Sequence, residues 1–120
     1  MIQGDLWFSS PWRRAYESVV FAPGKLLDSQ FLNLWRGFAV NPTDNPERWS
    51  RFKKHLLDHV AGGDNASYQY ILNWMAFAVQ KLGLPIGVAL VLIGKKGAGK
   101  SIVTELFGRI FGPHMFVTSR

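Results

Sequence analysis

Apolar and polar positions along the chain change period three times. From Pro46 onward, Trp49, Phe52, Leu56 and Val60 recur at spacings of three and four, which lines up one face of a helix. Pro46 precedes that face and Gly62-Gly63 follows it, as helix starts and stops prefer. A second helix is expected to open at Asp64 or Asn65, with Tyr68, Ile71, Leu72, Met75, Val79 and Leu82 as its stripe and Gly83 and Pro85 closing it. The short connection predicts that the two helices fold back as a hairpin. Val88-Ala-Leu-Val-Leu-Ile93 then shows no alternation, the pattern of a strand buried on both faces of a parallel sheet. After a glycine-rich loop, Ile102, Val103, Leu106, Phe107, Ile110 and Phe111 form the apolar face of a third helix, with Glu105 and Arg109 four apart on its other side. Gly112-Pro113 ends it, and His114-Met-Phe-Val-Thr118 is expected to start a second strand.

Residues 1–46 lack such order. Turn formers interrupt short apolar pieces at Ser9-Ser10-Pro11, Pro23-Gly24 and Asn41–Pro46. Within this part, Ser18–Ala22 reads as a short strand, and Phe31–Val40 as another. The expected organisation is a leading segment with short strands over 1–45, a helical hairpin over 46–84, and the start of an α/β core over 85–120.

Composition supports a folded chain: 48% of the 120 residues are hydrophobic and 18% charged, which argues against disorder. With no cysteine, disulfides, zinc ribbons and thiol catalysis are excluded. The N-terminus lacks a secretory pattern, and the longest apolar run is far too short to cross a bilayer. A net charge of +6 favours polyanionic partners, nucleic acid first, although the basic residues are scattered and solvation explains most of them.

The chemistry lies in Gly94-Lys95-Lys96-Gly97-Ala98-Gly99-Lys100-Ser101, which fits G-x-x-x-x-G-K-[ST] in full. A loop that wraps a phosphate must turn several backbone N–H groups inward, and glycine at 94, 97 and 99 meets that need best. The helix that begins here adds the partial positive charge of its N-terminus, with Ile102 in its first turn. Lys100 is expected to reach the β- and γ-phosphates of a nucleotide, and the Ser101 hydroxyl to ligate Mg²⁺. Lys95 and Lys96 occupy the variable positions, where phosphate contact, subunit contact and solvation are all open. His55 and His59 are four apart on a helix, but no third metal ligand is suggested. No catalytic residue is assigned: after Ser101 the only carboxylate is Glu105, on the wrong element to hold Mg²⁺ and orient water. The expected fold is therefore α/β, the first β–loop–α–β unit of a truncated P-loop NTPase, preceded by the hairpin and the short irregular strands.

The arrangement resembles the helicase-like ATPase domain of phage primase–polymerases, related to poxvirus-type primase–helicases and to superfamily 3 helicases of the AAA+ class. The likeness is carried by "WRRAYESVVFAPG" (12–24), "FLNLWRGFAV" (31–40), "HVAGGDNASYQYILNWMAFAVQ" (59–80), "GVALVLIGKKGAGKS" (87–101) and "LFGRIFGPHMFVTS" (106–119). It implies ATP and Mg²⁺ as ligands, DNA as partner, and a ring-shaped, normally hexameric assembly that unwinds DNA in the cytoplasm of a phage-infected or prophage-carrying bacterium. By position, Gly94, Gly97, Gly99, Lys100 and Ser101 match the family's phosphate-binding residues. The family's Walker B acids, sensor and arginine finger have no counterpart before Arg120, so the chain is expected to be an N-terminal fragment, or the product of a short reading frame from a damaged or split gene, that grips nucleotide without turning it over. Two other readings stay open: a non-catalytic module that binds ATP or helicase subunits, and a small-molecule kinase, against which the late position of the loop argues. Trp35-Arg36-Gly37-Phe38 suggests no chemistry, and is expected to pack on the helical pair.

Overall fold

A computed structural model describes residues 3–118, which combine helices with one two-stranded parallel sheet, a small α/β arrangement. The chain divides into two compact units, one ending at Trp35 and the other starting at Arg36.

In the first unit, α1 spans Gln3–Ser9, where the sequence predicts only irregular structure. Its apolar residues Leu6, Trp7 and Phe8 are consecutive and at least half exposed, so they carry no helical period to read. The Ser9 hydroxyl donates to the Asp5 carbonyl at 2.7 Å and closes the last turn. Strand β1 (Ser18–Val20) pairs in parallel with β2 (Phe31–Asn33), Ser18 opposite Phe31 and Val20 opposite Asn33. Both strands fall where β-branched and aromatic residues predict them, but β2 covers only the start of the expected 31–40 stretch. Asn33 explains the early stop. Its Oδ1 accepts from the Ala22 and Trp35 amides, each at 3.0 Å, and its Nδ2 donates to the Ala22 carbonyl at 2.9 Å. One side-chain amide thus stands in for the next rung of the ladder.

The second unit holds α2 (Ser50–His55), a π-helical turn (Leu56–Val60), α3 (Asn65–Gln80), α4 (Lys100–Phe111) and a 3₁₀ turn (Gly112–His114). The expected first helix exists but changes winding at Leu56: the Ala61 amide donates to the Leu56 carbonyl at 2.8 Å, an i to i+5 bond. The core joins three elements: Leu56 (0% exposed) from the π turn, Ile71 and Met75 from α3, and Val103 (2%) from α4. Burying a side chain such as Leu56 contributes about 2–3 kcal/mol. α3 begins where expected because the Asp64 carboxylate accepts from the Ser67 amide at 2.8 Å, a side-chain N-cap. It ends before Leu82, and Gly83 follows at a φ of +81°.

Two expectations are corrected. Residues 88–93 form no strand, and among the described residues the only sheet is that of β1 and β2. A strand exists through a ladder partner, and an apolar run signals only an affinity for cover. Here the run is held from one side: the Trp74 indole N–H donates to the Val88 carbonyl at 3.0 Å, and Leu90 packs on the core. Val91 and Ile93 remain 77% and 92% exposed. The second expected strand, 114–118, is a 3₁₀ turn followed by irregular chain. The β–loop–α–β unit is therefore present as loop and helix, without its strands. Arg36–Ala39 lies against the end of α4: the Arg36 amide donates to His114 Nε2 at 3.0 Å, the Ala39 amide donates to the Ile110 carbonyl at 2.8 Å, and the Phe38 and Phe111 rings lie 5.9 Å apart.

Candidate phosphate-binding loop

The glycine loop runs directly into α4. Gly99 is the N-cap residue, at φ +78° and ψ +13°, a left-handed conformation that costs a residue with a Cβ about 1–2 kcal/mol. Gly97 sits at φ +87°, also left-handed. Gly94 does not, and a Cβ there would meet Lys100 at 3.5 Å, an ordinary contact. The motif's glycines are thus unequal: 97 and 99 are required by backbone conformation, 94 is not.

Lys100 is the first residue of α4, and its side chain folds back over the loop. Its Nζ donates to the carbonyls of Gly94 at 2.7 Å and Lys95 at 2.8 Å. The ammonium group therefore closes the loop on itself. No side chain caps the N-terminus of α4, so its leading N–H groups keep their partial positive charge at the same place. Lys95, Lys96, Gly97, Ala98 and Ser101 are exposed. Ile102, 46% exposed, borders a hollow of about 310 Å³ with Arg48, Arg51 and His55. A larger concavity of about 670 Å³ opens beside the loop, bounded by Gly94, Ala98 and Lys100 on one side and by His59, Ser67 and Tyr70 on the other.

The loop also has a neighbour that the motif does not name. His55, at the end of α2, places Nε2 3.1 Å from the Gly99 carbonyl oxygen. In the sequence, His55 suggests only a metal ligand paired with His59, whose ring centroid lies 5.1 Å away. Among the described residues no group of three or more His, Cys, Asp or Glu is placed to hold a metal ion. The signal for His55 as a loop contact was Gly99 itself, since an N-cap without a Cβ leaves room for a ring.

Glu105 is exposed on α4, on the solvent side. No described helix is long and apolar enough to cross a membrane. No protein-family model matches the chain, and no solved structure matches it. The DNA primase-polymerase of Nitratiruptor phage NrS-1 is 29% identical over 86 residues, which cover 72% of this chain and 12% of that protein. The chain is thus similar, through most of its length, to one short stretch of a phage DNA primase-polymerase.

Proposed function

We propose that residues 94–102 bind the phosphates of a nucleoside triphosphate, ATP in the first instance, and that the chain is the nucleotide-gripping part of a phage-type replicative helicase ATPase. The observation that carries this reading is the position of the Lys100 ammonium. It sits over a loop with left-handed glycines at 97 and 99, at a helix N-terminus that no side chain caps. These residues fit a triphosphate. Lys100 would exchange its bonds to the Gly94 and Lys95 carbonyls for bonds to phosphate oxygens, and the loop amides would supply the remaining donors. Ser101, exposed in the first turn of α4, would contribute its hydroxyl to Mg²⁺, which supplies charge neutralisation between the phosphates. Gly94 and Ile102 would border the ligand, and Lys95 and Lys96 would raise the local positive potential.

Binding without turnover is the proposed state of this chain by itself. The only carboxylate on α4 is the exposed Glu105, and among the described residues no Asp or Glu lines the concavity beside the loop. A DNA partner, ring assembly and ATP-driven unwinding belong to the proposal for longer proteins that contain this segment; the similarity to a phage DNA primase-polymerase supports the DNA partner alone.

Calorimetric titration of the 120-residue chain with MgATP tests the reading. Saturable one-site binding, lost in Lys100→Ala, supports it. Failure of the wild-type chain to bind, or equal binding by Lys100→Ala, rejects it. In a longer protein, hydrolysis stimulated by single-stranded DNA and abolished by Lys100→Ala would separate a DNA motor from a small-molecule kinase.

A further inference from the structure

We infer that His55 is a positioning residue for the phosphate loop: it ties the helical hairpin to Gly99 and holds the loop in the shape that receives phosphate. The functional half of this inference rests on the phosphate-binding reading above; the contact itself does not.

The contact joins residues 44 positions apart, between His55 Nε2 and the Gly99 carbonyl oxygen at 3.1 Å. A carbonyl only accepts, so Nε2 carries the hydrogen and donates. The ring also lies flush against the Gly99 backbone. A Cβ at that position would come within 2.6 Å of Nε2, closer than atoms pack. Gly99 is therefore glycine for two reasons, its φ of +78° and the ring beside it.

The arm that carries the ring is anchored in the core. His55 ends α2, and the next residue, Leu56, is fully buried at the centre of the core with Ile71, Met75 and Val103. Val103 lies in the first turn of the helix that the loop enters. Core and histidine thus hold the loop–helix junction from two points: Val103 fixes the helix, and His55 fixes the carbonyl of its N-cap residue. Fixing that carbonyl sets the orientation of the peptide unit joining Gly99 to Lys100, and with it the amide of Lys100, one of the donors a phosphate would meet. The loop makes few other bonds. Besides Lys100's own and the first helical bond, which the Gly99 carbonyl accepts as N-cap of α4, one turn bond runs from the Ala98 amide to the Lys95 carbonyl at 3.3 Å.

Two replacements separate ring from donor. His55→Phe keeps a ring and loses the N–H; His55→Gln keeps a donor. Hydrogen exchange of the protein without nucleotide is followed at the two bonded amides of the loop–helix junction, Ala98, which donates to the Lys95 carbonyl, and Val103, the first to donate within α4, with those of α3 as internal reference. The tether predicts exchange roughly tenfold faster at the loop in His55→Phe, near-normal exchange in His55→Gln, and no change in α3. Affinity for MgATP should fall about three- to tenfold in His55→Phe and recover in His55→Gln. Unchanged loop exchange in His55→Phe overturns the inference. So does acceleration in α3 of the same size, which would make His55 a general stability contact. If loop exchange responds as expected but the wild-type chain binds no nucleotide, the tether stands and the phosphate-binding reading fails.

Discussion

The ammonium nitrogen of Lys100 lies 2.7 Å from the carbonyl oxygen of Gly94, so the lysine that the motif marks for phosphate is bonded to its own loop. A ligand must compete with that bond and with the one to Lys95. Lys100→Met keeps the aliphatic stem and removes both bonds. Each is charge-assisted but solvent-exposed, so the expected loss of stability without nucleotide is about 1 kcal/mol, read from urea denaturation. An unchanged midpoint would mean that the lysine does not close the loop in solution.

Gly97 and Gly99 share a left-handed backbone but differ in surroundings. A Cβ at Gly97 meets nothing within 4 Å, whereas at Gly99 it enters the His55 ring. Gly97→Ala should cost about 1–2 kcal/mol, the conformational cost alone. Gly99→Ala should cost more by about 1 kcal/mol or above, from the displaced ring. Equal costs in denaturant would place the histidine farther away than 3.1 Å from the Gly99 carbonyl.

Leu56 is the single fully buried large side chain among the described residues, at the point where α2 turns π-helical. Leu56→Ala should destabilise the second unit by about 2–5 kcal/mol, transfer loss plus cavity. Circular dichroism with denaturant would record this, with loss of helical signal from all three packed elements together.

The N-cap of α3 gives a pH dependence with a definite sign. The Ser67 hydroxyl and the Ser67 backbone N–H hold the Asp64 carboxyl below the ordinary Asp value of 3.8. A depressed pKa favours the folded state above that ordinary value, and the contribution is lost as pH falls through the lower folded-state value. Asp64→Asn should keep the cap while removing this acid sensitivity. Asp64→Ala should lower the melting temperature at neutral pH and show little further fall in acid. Melting curves of the three proteins between pH 2 and 7, as a rough working range, decide the matter.

These residues also show what the sequence makes legible. α3 can be read from Asp64 to Gly83 because its signals are local: a capping carboxylate, a stripe, a glycine stop. α4 is readable for the same reason, and so is the short strand at Ser18–Val20. The run at 88–93 is different. Its six apolar residues specify that something should cover them, not what does, and no described neighbour builds a ladder there. The π turn is hidden because Leu56 and Val60 keep an ordinary helical spacing while the bond pattern between them changes. In the loop, the motif marks the glycines and Lys100, but whether a given glycine is left-handed depends on the backbone it enters, as the contrast between Gly94 and Gly99 shows. His55 lies outside any local pattern, since its partner is 44 residues away.

The central claim is that the amides around Lys100 receive phosphate. Its most direct test is amide chemical-shift mapping of the ¹⁵N-labelled chain titrated with MgATP, with adenosine as the control lacking phosphate. The account predicts saturable shifts concentrated at Gly94–Ile102, largest at Gly97–Ser101, and no such shifts with adenosine. Absence of shifts in the loop at saturating MgATP, or a response centred elsewhere in the chain, would contradict it.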